Sequence, residues 1–174
     1  MANYFDNIKN VPEHIVAESS RLKATIAGHI YDLRMIEDTD NGIIVAVDNT
    51  LTPSDAGYNE DEQVYNAKAY ATGDKPYLVL TPPLAYNGRK LWSAEKYFYN
   101  AKDDIARCYE LCVDDIYTIS DMAFTGTPEV GKYVDATYAV QDSAPADGFV
   151  GQIMQRVDYT DRVAYRIRVI SLGC

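Results

Sequence analysis

The most regular pattern of hydrophobic and polar positions lies near the C-terminal end of the chain, over residues 149–170. In its second half, apolar residues alternate with arginine or alanine, at Val163, Tyr165, Ile167 and Val169. This two-residue period is typical of a strand with one buried face. The first half, from Phe149, has a similar parity, and the polar residues 158–161 are long enough for a hairpin loop. The pattern predicts a closing β-hairpin with an arginine-bearing face outside the core.

Several shorter runs predict further strands. Residues 43–47 (IIVAV) are continuously apolar, which indicates a strand buried on both faces. The sequence EDTDNG at residues 37–42 precedes it and predicts a turn, because Asn-Gly accepts positive φ. Residues 76–80 form another apolar run, and residues 113–119 and 130–134 each resemble a turn that leads into a strand. With about six to eight short strands, the chain is predicted to be mainly β, a small β-barrel or sandwich.

Two segments have weaker patterns. Residues 25–36 alternate loosely, with Ile26 and Ile30 on one parity, as in a strand. Residues 94–101 have apolar residues at helical spacing after Ser93, a potential N-cap. This spacing allows a short helix, and an irregular tyrosine-rich excursion is the alternative.

The N-terminal residues 1–24 show no clear period, and Pro12 interrupts any continuous helix there. We expect an extended arm that precedes a single β-rich domain of residues 25–174. Such an arm either frays or docks onto a neighbour. In the second case its apolar residues are candidates for partner contact: Tyr4, Phe5 and Ile8.

Composition and charge exclude several classes of partner. The formal net charge is −10, which argues against nucleic acid and against anionic membrane surfaces, since both require a basic footprint. The sequence contains no apolar run long enough for a transmembrane helix, and its first ten residues carry charges in place of a secretory apolar core. The 3 cysteines do not form a disulfide framework, so we expect reduced thiols and synthesis in the cytoplasm. The 15 tyrosines suit either half-buried strands or an interface.

The sequence shows no recognisable catalytic or metal-binding motif. His14 and His29 have no cysteine or carboxylate at zinc-ligand spacing, and residues 38–42 lack the glycine and the bidentate glutamate of a calcium loop. The carboxylate pairs at residues 103–104 and 114–115 are expected to be solvated, because adjacent strand residues point to opposite faces. We therefore expect no enzyme activity and no cofactor.

The predicted hairpin carries a concentration of arginines in an acidic chain: Arg156, Arg162, Arg166 and Arg168. One interpretation is local pairing with Asp158 and Asp161, which stabilises little at a surface. The other is a basic face that docks on an acidic partner, since arginine is enriched at interfaces. In this second interpretation Arg162, Arg166 and Arg168 project together from one side of the strand.

Six pieces of the chain, in this order, resemble small structural proteins encoded beside the major capsid gene in tailed phages of Gram-positive bacteria. They are EDTDNGIIVAV (37–47), QVYNAKA (63–69), KPYLVLTPPLAY (75–86), CVDDIYTIS (112–120), VGKYVDA (130–136) and FVGQIMQR…YRIRV (149–169). One departure is Asp114, which stands where the family more often has a glycine before the aspartate.

This resemblance implies a capsid decoration protein that binds the outer surface of a virion and stabilises its lattice. The expected partner is the major capsid protein, and the chain itself could form a homo-oligomer on the capsid. A carbohydrate- or host-surface-binding module of a virion is the alternative, because exposed tyrosines stack on sugars. A small metal-binding protein or enzyme is a more remote one.

Overall fold

The structure, a computed structural model, describes residues 12–48, 64–83, 95–158 and 162–173. Within them the chain forms a closed five-stranded barrel and a six-stranded sheet. The mainly β fold predicted from the sequence is therefore confirmed. Helix in these residues is confined to one short α-helix, α1 (Ala24–Ala27), and to two single-turn 3₁₀ helices at Glu95–Tyr97 and Asp121–Ala123.

Of the eleven strands in the described residues, the second to sixth form the barrel, and the first and the last five form the sheet. In chain order they are β1 (Ala17–Arg21), β2 (Ile30–Arg34), β3 (Ile44–Val47), β4 (Tyr65–Ala69), β5 (Tyr77–Val79), β6 (Ile105–Glu110), β7 (Ile116–Ser120), β8 (Tyr133–Val134), β9 (Val140–Gln141), β10 (Val150–Asp158) and β11 (Val163–Ser171). The barrel has the order β2-β4-β3-β5-β6, closed by pairing of β6 with β2. The sheet has the order β1-β7-β11-β10-β8-β9.

Two hydrophobic cores result from this arrangement. One fills the barrel and includes Leu33, Val45 and Val79. The other lies between the barrel and the sheet, where Ile44 and Leu78 of the barrel meet sheet residues. Successive residues of β3 and β5 thus enter different cores, since side chains alternate across a strand. The prediction that residues 43–47 are buried on both faces is confirmed for β3, in which only Val47 is partly exposed.

The predicted C-terminal hairpin is present as β10 and β11, which pair antiparallel. The predicted parity holds for Ile167 and Val169, which are fully buried, whereas Val163 and Tyr165 are only half-buried. Ala164, placed outside the core by the pattern, is completely buried. It lies between Ser120 of β7 and Val157 of β10, so strands on both sides shield its small side chain. Of the predicted loop, residues 159–161 lie outside the described residues.

Part of the segment predicted as an N-terminal arm belongs to the domain. Residues 17–21 are extended, as expected, but they form β1 and pair with β7 at the edge of the sheet. The buried side chains of Val16, Leu22 and Ala24 flank this strand. A domain boundary at residue 24 is therefore wrong for residues 12–24, because widely spaced apolar residues suffice for an edge strand. Residues 1–11 lie outside the described residues.

Two further segments differ from the sequence patterns. Residues 24–27 are helical, not extended, and Ile26 is 90% exposed. The helix ends at Gly28, whose φ of +74° allows its N–H to bond to the carbonyl of Ala24. The predicted helix after Ser93 is reduced in the described residues to the 3₁₀ turn Glu95–Tyr97, and residues 84–94 lie outside them.

The Asn-Gly turn before β3 joins the two layers. Gly42 has a φ of +94° and donates its N–H to the carbonyl of Val79 at 2.7 Å. Its own carbonyl accepts a hydrogen bond of 2.6 Å from the hydroxyl of Tyr138. Tyr138 and Tyr117 are completely buried, and their hydroxyls lie 3.1 Å apart. Burial raises the pKa of both phenols, so both stay neutral and remain hydrogen-bond donors.

Tyr138 is held in an unusual backbone conformation by the loop around it. Its φ is +59°, in the left-handed region that favours glycine. The carboxylate of Asp135 accepts the backbone N–H groups of Thr137 at 2.8 Å and Ala139 at 3.1 Å. These bonds fix the residues on both sides of Tyr138 and thereby aim its ring at Gly42.

Replacing Gly42 by alanine should destabilise the protein more than the same change at Gly73. Both glycines have a φ of +94°, so both substitutions carry the same backbone strain, about 1–2 kcal/mol. A Cβ on Gly42 would also lie 2.7 Å from Cδ1 of Ile119 and 3.0 Å from Cβ of Ala17, whereas one on Gly73 meets nothing within 4 Å. Overpacking of this kind adds about 1–3 kcal/mol. Chemical denaturation of the two variants checks the difference, and equal destabilisation would contradict it.

Candidate interaction surface

The outer face of the six-stranded sheet carries two of the four hairpin arginines side by side. Ile167 and Val169 of β11 point into the core, so Arg166 and Arg168 point away from it. Arg166 lies opposite Thr118 of β7, and Arg168 lies opposite Ile116 of the same strand. Because β11 is an inner strand of the sheet, both arginines lie away from its edge strands.

Arg168 is bound to a carboxylate of its own chain. Its Nε and Nη2 both contact Oδ1 of Asp114, and the Nε distance is 2.9 Å. The hydrogen bond from Arg168 holds the pKa of Asp114 below its usual range. Asp114 has a φ of +72°, the conformation in which glycine is favoured. Asp114 therefore supplies a partner for Arg168 in a backbone conformation that favours glycine.

Arg166 donates one side-chain hydrogen bond among the described residues. Its Nη1 donates to Oε1 of Gln155 at 3.1 Å. Its Nε is buried and has no hydrogen-bond partner within the described part of the chain. Thr118, which pairs with Arg166 across β7 and β11, is 3% exposed, and its hydroxyl lies 2.9 Å from that of Ser20. The guanidinium therefore lies on a surface of satisfied polar groups.

The other two predicted contact arginines lie elsewhere. Arg156 is exposed and pairs with Asp158 at 3.1 Å, as the local-pairing interpretation expects. The side chain of Arg162 is only 10% exposed and lies 3.8 Å from the carboxylate of Glu13. The prediction that Arg162 projects together with Arg166 and Arg168 is therefore wrong, because Arg162 precedes β11 and packs near the N-terminal segment. The remaining predicted contact residues, Tyr4, Phe5 and Ile8, lie outside the described residues.

A buried carboxylate at one end of the barrel forms a second charged cluster. Glu110 is 6% exposed, and its carboxylate contacts Nζ of Lys75 at 2.7 Å and Nδ1 of His29 at 3.1 Å. Burial by itself raises the pKa of Glu110, but the hydrogen bonds from Lys75 and His29 outweigh it and the net pKa is lowered. Tyr77 of β5 pairs with Glu110 of β6. Its ring packs edge-on against that of Tyr31, with the ring centroids 5.3 Å apart.

The sequence did not reveal this cluster because its members come from three separate segments. The one hint in the sequence was that the polar Glu110 alternates with Ala106 and Cys108, so that its side chain lies on the same, inward face of β6. Cys108 itself is buried in the barrel as a free thiol, and burial raises its pKa. The cluster closes the barrel end with paired charges and is a structural feature.

Replacing Glu110 by glutamine should lower stability at neutral pH by about 1.5 kcal/mol, the lower end for hydrogen bonds to charged groups, because Lys75 and His29 are half-exposed. The stabilisation by Glu110 is complete above the ordinary carboxyl pKa of 4.5 and is lost as the pH falls through the lowered pKa of the folded state. Melting curves should therefore separate wild type and variant at pH 7 and converge in acid. The exposed Glu95 serves as control, and Glu95→Gln should have little effect at either pH.

The EDTDNG turn uses its carboxylates to hold neighbouring segments. Asp38 accepts the backbone N–H of Lys102 at 2.9 Å. Asp40 accepts the N–H of Ile15 at 2.9 Å and contacts Nδ1 of His14 at 2.7 Å. The expectation of a turn in place of a calcium loop agrees with these contacts. In the described residues no group of three His, Cys, Asp or Glu side chains could hold a metal ion.

Asp115 corrects the expectation of a solvated carboxylate pair at residues 114–115. Its side chain is completely buried and accepts the backbone N–H groups of Lys23 at 2.9 Å and Cys112 at 2.8 Å. The pair lies in the turn before β7, where the two side chains take different roles. Asp115 connects the start of α1 to this turn, and Asp114 faces Arg168.

A cleft of about 510 Å³ opens beside the turn. Its walls are residues 35–40, residues 67–70 of β4 and its extension, and residues 136–138. Its lining combines apolar and polar residues, and no sequence pattern pointed to it.

None of the helices in the described residues is long and apolar enough to cross a membrane. No known family model, curated protein or solved structure matches this chain.

Proposed function

We propose that this chain is a non-enzymatic structural protein of a virion, which binds the outer surface of a phage capsid and stabilises its lattice. The observation that carries the proposal is the pair Arg166 and Arg168, side by side on the outer face of an inner strand of the six-stranded sheet. The resemblance of six sequence pieces to capsid decoration proteins supports the same class. The partner in this proposal is the major capsid protein.

The surface suits docking because its donors are fixed before a partner arrives. The guanidinium of Arg166 is held by Gln155 across the hairpin. Side chains that are already ordered lose less conformational entropy on binding. A guanidinium presents its donors as a planar fork, which fits a carboxylate bidentately. The partner surface that matches this face therefore carries a carboxylate opposite Arg166.

Stabilisation of a lattice follows from the number of copies. Each contact buries modest area, but a protein that bridges two capsid subunits makes its second contact at a high effective concentration. The net charge of −10 also keeps copies from adhering to one another away from the capsid. These properties suit a protein that is present in many copies on a lattice.

Binding to capsids assembled from the major capsid protein should depend most on Arg166. Loss of a charge-paired arginine buried at an interface costs about 2–5 kcal/mol, which corresponds to about 30-fold or more in Kd. Arg166→Ala should show this loss. Arg168→Ala should show a smaller one, because Arg168 already forms an ion pair with Asp114. Arg156→Ala is the matched control, since Arg156 is exposed on the same hairpin. Sedimentation with capsids, beside a thermal melt of each variant, gives the result.

If Arg166→Ala, Arg168→Ala and the double variant all bind as the wild type does, the outer face is a solvated surface and the proposed docking mode is wrong.

Asp114→Asn should strengthen capsid binding. The substitution removes the carboxylate that pairs with Arg168, while asparagine tolerates the positive φ of this position. The freed guanidinium then becomes available to a carboxylate of the partner. The gain should shrink as salt rises, because exposed charges are screened. Combining Asp114→Asn with Arg168→Ala should abolish the gain, and weaker binding by Asp114→Asn alone would contradict the arrangement.

A further inference from the structure

The C-terminal hairpin leaves one edge of β10 without a neighbouring strand. β8 pairs with β10 at Gly151 and Gln152, and the backbone of Ile153 bonds to residues 131 and 132. From residue 154 to Asp158, β10 has β11 on one side and none of the described strands on the other. An edge of this kind can accept a further strand through its backbone groups.

The backbone groups of Arg156 and Asp158 point to this free edge. Along an antiparallel strand the N–H and C=O groups turn alternately to its two sides. Val169 of β11 bonds to the turn before β7, so Tyr165 and Val163, which share its parity, also face β7. Arg156 lies opposite Tyr165, and Asp158 lies opposite Val163. In such pairs neither residue bonds to the other, so the N–H and C=O groups on β10 face away from β11.

The side chains at this edge are exposed and oppositely charged. The side chain of Arg156 is 57% exposed and that of Asp158 is 72% exposed. Being two positions apart, they lie on the same face of β10, and Met154 and Val130 beside them are exposed as well. Their ion pair within one strand stabilises little at a surface, so both charges remain available to a second strand.

We propose that the free edge of β10 pairs with the same edge of a second copy, antiparallel about a two-fold axis at Val157. In this register Arg156 of each copy lies opposite Asp158 of the other, so two attractive cross-strand pairs form. The two neighbouring registers that use the same backbone groups place Arg156 against Arg156, or Asp158 against Asp158. Both are opposed by repulsion between like charges, so the charge pattern selects one register.

The contact is short, and the net charge of −10 opposes it between free copies. The pair is therefore weak in dilute solution and is favoured where copies are concentrated side by side, as on the lattice of the proposed function. When capsids are in excess, bound copies lie far apart and this pairing plays no part. Under that condition Arg156→Ala remains a control for the contact made by Arg166.

Disulfide trapping of the full-length protein tests the register. Val157→Cys is made with Cys112→Ser and Cys174→Ser, while the buried Cys108 is left in place. At the two-fold axis the Cα atoms of the two copies lie about 4.5 Å apart, within the range that a disulfide spans. The control is Gln155→Cys, which is more exposed but lies about 13 Å along the strand from its symmetry mate.

Concentrated Val157→Cys protein in a glutathione buffer should form the covalent dimer many-fold faster than Gln155→Cys protein. An ionic strength of about 0.15 M screens repulsion between the two acidic molecules beyond about 8 Å, while charges on adjacent strands still interact. Trapping of Val157→Cys at the rate of Gln155→Cys, or more slowly, would overturn the proposal.

Exchanging the charges at the edge gives an independent test in the Val157→Cys background. Arg156→Asp and Asp158→Arg each place like charges opposite one another, and each alone should slow trapping about ten-fold. In a mixture of these two variants an aspartate lies opposite an arginine at both positions. The covalent heterodimer, recognised by its mass, should therefore exceed both homodimers.

The matched control for this mixture is the pair Arg107→Asp and Asp32→Arg in the same background. These exposed residues lie opposite one another on β6 and β2 of the barrel, so the net charges change equally while the β10 edge is kept. Their mixture should give homodimers and heterodimers in a nearly statistical ratio. An equal heterodimer excess in both mixtures would show attraction by net charge alone and would overturn the proposal. The test contains no capsid, so its outcome is independent of the proposed function.

Discussion

The hydrogen bond from Tyr138 to the carbonyl of Gly42 connects the parts on which the rest of this fold depends. Gly42 leads into β3, the strand whose side chains enter both cores, and Tyr138 belongs to the loops beside the sheet. Gly42 also packs against Ile119 of β7 and Ala17 of β1 so closely that a Cβ would collide with both. Barrel and sheet therefore fit together only with a glycine of positive φ in this turn. A shift of the turn by one residue would place a side chain against Ile119 and displace both cores.

The position of β11 decides which arginines are available to a partner. Because β11 lies between β7 and β10, its outward residues are surrounded by other side chains of the sheet. Arg168 pairs with Asp114, whose turn is hydrogen-bonded to the end of β11. Arg166 donates a hydrogen bond to Gln155 across the hairpin. The same strand order that buries Ala164 thus orients the charged groups on the opposite side of the sheet from the core.

Sequence patterns predicted the parts of the fold that local chemistry determines. Three local patterns predicted elements that the structure contains. They are the continuous apolar run at β3, the Asn-Gly turn and the alternation in β11. The strand order is different, since nothing local in Ala17–Arg21 indicates pairing with β7, about a hundred residues away in sequence. The Glu110 cluster and the cleft were missed for the same reason, because segments distant in sequence meet there. Periodicity did not show that Arg162 is covered, because Glu13, which lies near it, is distant in sequence.

An acidic protein gains selectivity from a few oriented cations. With 26 acidic and 16 basic residues, its general field repels acidic surfaces. Intramolecular pairing reduces the remaining attraction further, since Arg156 and Arg168 are bound to Asp158 and Asp114. In the proposed docking mode, an acidic partner binds where its carboxylate lies close to the Arg166 guanidinium and is repelled elsewhere. Specificity of this kind comes as much from the unfavourable contacts as from the favourable one. In the function proposed here, it would place each copy at one site of a lattice and in one orientation.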